Sequence, residues 1–484
     1  MMLFFLTIIT IAILSTPSQS FLTTPQQQRQ QQRQQPQQQP HFSSVSRVST
    51  WLYSSTNANA NANTMLIDIE ETAERDMTTL ENWAMECGVQ RNDGLAINQE
   101  QSPDHGREIA PDMSFVAQDN IPADSPLLWV SEEMVLTGNK AQQELGEGYA
   151  PMELYNDDPL LLPQFYLFLK LLLEYEQGPE SPYSPWLNSL PRFFANGASM
   201  TDFCYGSLPP YAAQVSLEEK QLLQQFHSAL FKNEVPFLSM ETKQNWELCT
   251  WAYSVVRTRG LLYGDNDVCL APMADLFNHC SDAPEAYISI DDDGNCCSFA
   301  ATDIPAGSPV RISYYDSHPS TIRSNPSLLL SRYGFLDETG NAQFCKLIVD
   351  NPSPEMKDMG IADPSQLLFY NTGDIADPVW DLVLYQYLER EDPDQLPGFY
   401  QATLQEDWDT KQQYHEHYFP QTLQALSKHV DYLCHELEEL SQNGWKRKES
   451  YMERHPRLPL LMRHNAHVLE TFEKVQDNLD GMKQ

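Results

Sequence analysis

The chain has 484 residues, enough for two or three domains, because a single hydrophobic core rarely grows beyond about 300 residues. Asp and Glu number 67 against 30 Lys and Arg, which gives a formal net charge of −37. This excess of negative charge argues against nucleic acid as a direct partner and favours a cationic, lysine-bearing protein.

The first twenty residues form an apolar leader. The run from Leu3 to Leu14 is too short to span a membrane, and small residues at Ser18–Ser20 are typical of a signal-peptidase site. We therefore interpret residues 1–20 as a signal peptide.

Residues 21–65 have the composition of a transit segment. No acidic residue occurs from Phe21 to Ile67, and the arginines there lie among Gln, Ser and Thr. A signal peptide followed by such a segment resembles the two-part presequence of plastids that lie inside the endomembrane system. The expected location is the plastid, and a secreted or endomembrane protein with a disordered Gln-rich leader is the alternative.

Cysteine and histidine spacing predicts no metal site. The nine cysteines form an odd number without CxxC spacing, unlike a disulfide framework or a zinc site. His415 and His417 are separated by two positions on a predicted helix, so they point to different faces.

The first predicted element is a helix. We expect it to extend from Met65 through Trp83 and to end at Gly88.

A helical region follows from about residue 139 to residue 245. Leu160 to Tyr175 is apolar nearly all round, which indicates a buried helix and not a membrane span. The segment Ser184 to Pro191 contains Trp186, for which we expect a packing role.

The next two segments carry closely spaced polar residues. The predicted helix Trp246 to Arg259 brings Arg257 and Arg259 to its C-terminal end, where the helix dipole favours cations. The stretch Leu270 to His279 begins as a run suited to burial and ends in Asp275, Asn278 and His279. Burying such groups is expensive without partners, so they indicate either a capped turn or a site.

A hairpin and a short strand complete this half of the chain. Tyr287 to Ile290 and Cys296 to Ala300 flank a DDDGN turn, which we interpret as solvated because Gly294 comes too early for an EF-hand loop. In Val310 to Tyr314, the period of two places Val310, Ile312 and Tyr314 on one face.

The remainder of the chain predicts helices. Asp377 is expected to cap a helix that continues to Glu389, with Pro378 in its first turn. Two apolar stripes indicate packed helices, Leu423 to Leu440, which stops at Gly444, and Val468 to Leu479.

Four segments in fixed order carry a family resemblance: Trp251–Gly260, Leu270–His279, Asp303–Tyr314 and Asn325–Phe335. Together they resemble the SET domain of protein lysine methyltransferases of the Rubisco large-subunit methyltransferase-like subfamily. The resemblance extends from about Leu80 to the C-terminus. It implies an α+β fold: a SET domain of small β-sheets with a pseudoknot over residues 66–340, split by a helical insert at about 139–245, and an all-α substrate-binding domain over residues 341–484.

The same resemblance implies roles for individual residues. It implies that Tyr314 and Tyr333 are catalytic and that the cofactor is S-adenosyl-L-methionine. The residues expected to bind this cofactor are Arg259, Asp275, Asn278, His279, Ser114 and Phe115. The residues expected to line the substrate channel are Leu261, Ile312 and Phe335.

The implied function is transfer of a methyl group to a lysine side chain of a protein. A monomer is expected, with no direct nucleic-acid partner and no membrane association after processing. By the resemblance, Asp112 to Ile121, followed by residues 122–136, occupies the place of the family's first strands and its Gly-x-Gly turn. Asp112 and Ser114 stand where the family usually has glycines, and side chains there would crowd a cofactor. One alternative is therefore a catalytically inactive protein-binding module with this fold. The other is a protein-histidine methyltransferase, because members of the wider subfamily can methylate histidine.

Overall fold

The computed structural model describes most of the chain after its first 66 residues. The described residues are 67–100, 111–151, 154, 158–232, 235–314, 325–337, 343–345, 352–363, 366–446 and 454–483. The predicted signal peptide and transit segment lie outside them.

The strands are short and numbered here in chain order. They are β1 Gln90–Arg91, β2 Leu95–Glu100, β3 Asp112–Ala117, β4 Pro126–Val130, β5 Leu136–Thr137, β6 Leu261–Leu262, β7 Val268–Leu270, β8 Asn278–His279, β9 Ala286–Ile290, β10 Cys296–Ala300, β11 Arg311–Ile312, β12 Gln343–Cys345 and β13 Leu368–Tyr370.

These strands form several small sheets. The largest has the antiparallel order β1-β4-β10-β9, and a three-stranded sheet has the order β5-β7-β6. Two further antiparallel pairs are β2-β3 and β12-β13. The pair β8-β11 is parallel, with Asn278 opposite Arg311 and His279 opposite Ile312. This parallel pair brings the end of the Leu270–His279 segment beside the strand that precedes Tyr314.

The helices are likewise numbered in chain order. They are α1 Met77–Glu86, α2 Gly138–Leu145, α3 Leu161–Gln177, α4 Ser184–Ser189, α5 Asp202–Tyr205, α6 Pro210–Lys232, α7 Met240–Gln244, α8 Trp246–Arg259, α9 Pro326–Tyr333, α10 Pro354–Asp358, α11 Asp377–Glu391, α12 Leu396–Leu404, α13 Trp408–Lys446 and α14 Leu458–Met482.

Helix α3 is the buried helix expected from its composition. Phe165, Phe168 and Leu172 are fully buried, and their rings and methyl groups pack inside the first core. Burial of each such side chain contributes roughly 1.5–3 kcal/mol relative to exposure. The end of the helix is marked by Gly178, which has a φ of 57°.

The apolar residues form three clusters. The first joins the small sheets to α3, α6 and α8, from Ile67 to Ile312. The second joins α11–α14 and includes Phe369 and Phe472. A smaller cluster between them contains Phe193, Leu330 and Leu460. The stripes predicted in α13 and α14 are thus the packed faces of the second cluster.

Three predicted boundaries were wrong. The first helix begins at Met77 and not at Met65, because Asp76 accepts a hydrogen bond from the Thr79 amide and caps it there. Helix α11 begins at Asp377, which follows the cap position instead of occupying it. Helix α13 continues past Gly444 to Lys446, since one glycine weakens a long helix without ending it. Within the described residues, no helix combines the length and apolar character that crossing a membrane requires.

Candidate active site

Two neighbouring clefts lie at the end of helix α8. The narrow cleft has a volume of about 10 Å³, room for about one water molecule, and the larger cleft has a volume of about 170 Å³. The two clefts share Thr258, Arg259, Tyr314 and Tyr333. The remaining lining of the narrow cleft is mostly apolar, and that of the larger cleft is mixed.

Helix α8 delivers Arg259 to the junction of the clefts. Asn245 caps the helix by accepting a hydrogen bond from the Leu248 amide at 3.0 Å, and the helix ends at Arg259. The Arg259 guanidinium donates to the backbone carbonyl of Asp275. This bond uses one of five N–H donors, which leaves others for a ligand in the clefts.

The turn from Met273 to Leu276 shapes the floor of the narrow cleft. Met273 has a φ of 70°, a conformation that costs a non-glycine residue of the order of 1–2 kcal/mol. Such strain is often stored at functional sites. The next turn buries Asp275, whose Oδ1 atom has no hydrogen-bond partner in the structure. Burial raises the pKa of Asp275, although Arg259 and Arg75 oppose this effect.

Tyr314 is fixed at the meeting point by two hydrogen bonds. Its hydroxyl donates to the Phe277 carbonyl at 2.9 Å, and its backbone amide donates to Nδ1 of His279 at 3.0 Å. Its ring centroid lies 5.1 Å from that of Tyr333. Burial raises the pKa of Tyr314, so the hydroxyl stays protonated at neutral pH. Because its proton is committed to Phe277, the phenolic oxygen is left to accept a hydrogen bond.

His279 supports Tyr314 from behind. Its Nδ1 accepts the Tyr314 amide, so the proton of the neutral ring is on Nε2, which lies 3.0 Å from the Ser281 hydroxyl. Ser281 in turn donates to the Asp337 carboxylate. Burial lowers the pKa of His279 to about 4, only partly opposed by Asp337. His279 is therefore a neutral positioning group at neutral pH.

The other wall of the larger cleft depends on Gly334. Helix α9 ends there with a φ of 78°, and a Cβ at this position would lie 2.6 Å from the Ala195 carbonyl carbon and the Asn196 nitrogen. Only glycine permits both this conformation and this close approach. The turn places Tyr333 and Phe335 on either side of Gly334 at the cleft.

A carboxylate forms part of the same cleft. Asp112, at the start of β3, accepts from the Asn278 side-chain amide at 3.4 Å and lies 3.6 Å from Nη1 of Arg75. The Arg75 side chain is only 2% exposed, and its Nε donates to the Ser189 carbonyl at 2.6 Å. Burial lowers the pKa of Arg75 to about 10, with Asp112 opposing, so it remains a cation at neutral pH.

Comparisons with known proteins identify the architecture. No protein-family model and no curated protein matches the sequence. Among solved structures, Rubisco LSMT bound to sinefungin and monomethyllysine has a TM-score of 0.57 at 14% identity, over 84% of this chain and 92% of that chain. The SET domain of LSMT bound to lysine and AdoHcy has a TM-score of 0.53 at 14% identity, over 84% and 91%. The chain has the SET-domain fold.

The likeness includes the helical region that follows. Rubisco LSMT bound to AdoMet has a TM-score of 0.54 at 14% identity, over 84% of this chain and 91% of that chain. The predicted fold class is thereby confirmed: small sheets with helices, followed by a C-terminal helical region.

The SET fold brings most of the predicted site residues to the two clefts. Arg259, Tyr314 and Tyr333 line both. Those that line the narrow cleft alone are Asp275, Leu261 and Ile312. Those that line the larger cleft alone are Asn278 and Phe335.

Three predicted cofactor residues lie elsewhere. Phe115 is fully buried, and its ring centroid lies 4.8 Å from that of Phe277. Ser114 is a buried residue of β3 and pairs with Asn98 of β2. His279 lies behind Tyr314. Neither Ser114 nor Phe115 lines a cleft, so their placement gives no support to a side-chain contact with a cofactor. The residue of β3 that reaches the larger cleft is Asp112.

Arg257 has a structural position. Its guanidinium donates to Glu219 on α6 at 3.0 and 2.5 Å and to Gln164 on α3 at 2.6 Å. Arg257 is thus held by these buried contacts, and Arg259 alone of the two lines the clefts.

Sequence reasoning missed several residues of the larger cleft. Phe193, Phe194 and Ala195 follow α4, and Leu460 comes from the first turn of α14. The pair of adjacent phenylalanines close to the SPWLNSLP segment was a usable signal. Nothing local marks Arg75 or Leu460, because Arg75 contacts Ser189 and Leu460 packs in one cluster with Phe193, in each case more than a hundred residues away. Within the described residues, no group of His, Cys, Asp and Glu is arranged to hold a metal ion.

Proposed function

We propose that this chain is an S-adenosylmethionine-dependent protein methyltransferase that methylates a lysine side chain of a protein. The observation that carries the proposal is the meeting of a narrow, mostly apolar cleft and a larger cleft of mixed polarity at Arg259, Tyr314 and Tyr333. Two reactants entering from the two sides would face each other at this junction, and holding them in line supplies much of the rate of such a reaction.

The larger cleft fits a charged nucleoside. Its lining combines the Asp112 carboxylate, the Asn278 amide and the Arg259 guanidinium with the rings of Tyr333 and Phe335. A guanidinium can hold a carboxylate through two parallel hydrogen bonds, and aromatic faces tolerate a positively charged sulfur. S-adenosylmethionine would supply the methyl group on its sulfonium. The neighbouring solved structures are described as bound to AdoMet, AdoHcy or sinefungin, which supports this choice.

The narrow cleft has room for the terminal amine of a lysine side chain, a group of about the size of one water molecule. Leu261, Ala274, Phe277 and Ile312 give it apolar walls. Lysine has a pKa of about 10.4 in water, and removal of water from the ammonium lowers that value, which favours the neutral amine that the reaction requires. The Tyr314 oxygen, whose own proton is donated to Phe277, accepts a hydrogen bond from the amine and orients its lone pair.

The proposal extends to the partner and its location. The net charge of −37 would attract a cationic protein, and we place its docking on the C-terminal helical region, which has an apolar cluster of its own. We propose the plastid as the compartment on the composition of residues 1–65. A fluorescent reporter fused to these residues should accumulate in the plastid, and its secretion would contradict this part.

A methyl-transfer assay tests the reaction. The full chain is incubated with radiolabelled S-adenosylmethionine and a plastid extract, alongside Tyr314→Phe and the control Tyr287→Phe, whose ring is 42% exposed on β9. The wild type and the control should label one protein band on lysine. Tyr314→Phe should lower the rate by about a hundredfold, the usual loss when one positioning hydrogen bond of an active site is removed.

Two results would overturn the proposal. Label on histidine would make the chain a histidine methyltransferase. Absence of label with all three proteins, together with no binding of S-adenosylmethionine, would make it an inactive protein-binding module.

A further inference from the structure

The larger cleft contains a negative pole that a glycine could not provide. Asp112 keeps 39% of its side chain exposed although it lies beside the buried Arg75. The carboxylate accepts from the Met113 amide at 2.9 Å and from the Asn278 amide nitrogen at 3.4 Å. A carboxylate offers about four acceptor positions, so acceptor capacity remains free on the side that faces the cleft.

The neighbours of Asp112 leave room for a cation. The Asn278 side-chain amide donates to Asp112 and lines the same cleft, so it helps to hold the carboxylate there. The Arg75 cation lies on the buried side, where it offsets the desolvation of the carboxylate without entering the lining of the cleft. The Asp112 carboxylate thus lines the cleft with an amide donor at its side and a buried cation behind it.

The positive pole of the cleft is at a different place. Arg259 lines both clefts and therefore lies at their junction, whereas Asp112 and Asn278 line only the larger one. A ligand that carries both a carboxylate and an ammonium group can satisfy both poles at once. A ligand with a carboxylate alone would leave Asp112 without a counterion on the cleft side.

We propose that Asp112, held by Asn278 and Arg75, forms an ammonium subsite, so that the larger cleft selects a nucleoside whose tail is an α-amino acid zwitterion, with its ammonium group on Asp112 and its carboxylate on Arg259. This inference rests on the proposed function and sharpens it. It makes Asp112 a specificity-determining residue. From the sequence alone, a side chain at this position was expected to obstruct cofactor binding, because the family usually has glycine there.

Arg75 is the positioning residue of this subsite. Its guanidinium is held by the Ser189 carbonyl, and the segment that carries it is tied to α14 by the ion pair of Glu71 with Arg457. Arg457 also donates to the Phe194 carbonyl at 2.8 Å, beside the cleft. These contacts fix Arg75 behind Asp112 and so fix the direction of the carboxylate.

Calorimetry with a pair of ligands tests the subsite. S-adenosylhomocysteine and its des-amino analogue, in which hydrogen replaces the ammonium group, are titrated into the full chain, Asp112→Asn and the control Asp119→Asn. Asp119 is an exposed carboxylate just beyond β3, and both replacements keep the size of the side chain. The readout is the dissociation constant of each ligand.

The wild type and Asp119→Asn should bind S-adenosylhomocysteine ten- to a hundredfold more tightly than the des-amino analogue, as expected for a charge-assisted hydrogen bond. In Asp112→Asn this preference should fall below threefold, with the analogue bound as in the wild type. Equal losses for both ligands, or no loss for either, would overturn the ammonium subsite while leaving the proposed function intact. Binding of neither ligand to the wild type would overturn both.

Discussion

The region around the clefts and the C-terminal helical region differ in the balance of forces that holds them together. Around the clefts, buried charged and polar groups join distant parts of the chain, as Arg257 does with Glu219 and Arg75 with Asp112. In the C-terminal region, apolar stripes of α13 and α14 pack against each other; the Lys411–Asp381 pair is mostly buried, and pairs such as Lys474–Glu470 lie at the surface. The comparison teaches that the candidate site lies where buried polar groups link distant segments, whereas the helical region relies mainly on apolar packing.

The largest effect on stability is expected from the buried ion pair of Glu219 with Arg257. Burial alone would raise the pKa of Glu219, but Arg257, helped by Arg332, lowers it, so the carboxylate is charged. Glu219→Gln would leave two buried guanidinium groups facing a neutral amide. We expect the free energy of unfolding to fall by about 3–5 kcal/mol, measured by urea denaturation. A loss below about 1 kcal/mol would show that the pair does not hold this region together.

The apolar region should respond to loss of volume instead. Leu426 is fully buried between α13 and its neighbours, so Leu426→Ala should lower the free energy of unfolding by about 2–5 kcal/mol. The affinity for S-adenosylhomocysteine at temperatures below the transition should stay within twofold of the wild type. A large loss of affinity would break the comparison, because it would tie the helical core directly to the clefts.

Acid should weaken the region around the clefts through His279. Its pKa is about 4 in the folded chain and about 6.5 when unfolded, so the unfolded state takes up the proton first as pH falls. The stabilisation is present above pH 6.5 and is lost as pH falls towards 4, to a total of about 3 kcal/mol. Thermal unfolding of the wild type and His279→Asn at several pH values measures the difference. Parallel pH profiles for the two proteins would contradict the assignment.

The smallest effect is expected from an exposed carboxylate. Glu470→Gln removes the same charge as Glu219→Gln, but its pair with Lys474 at 2.9 Å is solvated. The free energy of unfolding should change by no more than about 0.5 kcal/mol. A loss comparable with that of Glu219→Gln would show that burial does not decide how much an ion pair contributes to the free energy of unfolding.

The features that could be predicted from the sequence were those with a local pattern or a known order of segments. Periodicity predicted α3, α13 and α14, and the alternation of Val310, Ile312 and Tyr314 predicted the inward direction of the tyrosine. Segment order predicted that Arg259, Asn278 and Tyr314 would meet. These are local patterns, or patterns shared with a known fold, and the structure places them together.

Contacts between residues that are far apart in the sequence could not be predicted. Arg75 and Asp112 are brought together by strand β3 and the segment before α1, and Leu460 reaches the larger cleft from the last helix. No periodicity links such positions. The start of α1 was misplaced because Asp76 stops the helix, while residues 67–76 make tertiary contacts such as those of Glu71 and Arg75.

Calorimetric titration with S-adenosylmethionine tests the central claim most directly, using the full chain and Arg259→Met. The wild type should bind one equivalent with a dissociation constant in the micromolar range, and Arg259→Met should bind at least tenfold more weakly because the carboxylate loses its charged partner. Absence of binding to the wild type at millimolar S-adenosylmethionine, or equal affinity of the two proteins, would contradict the assignment of the larger cleft.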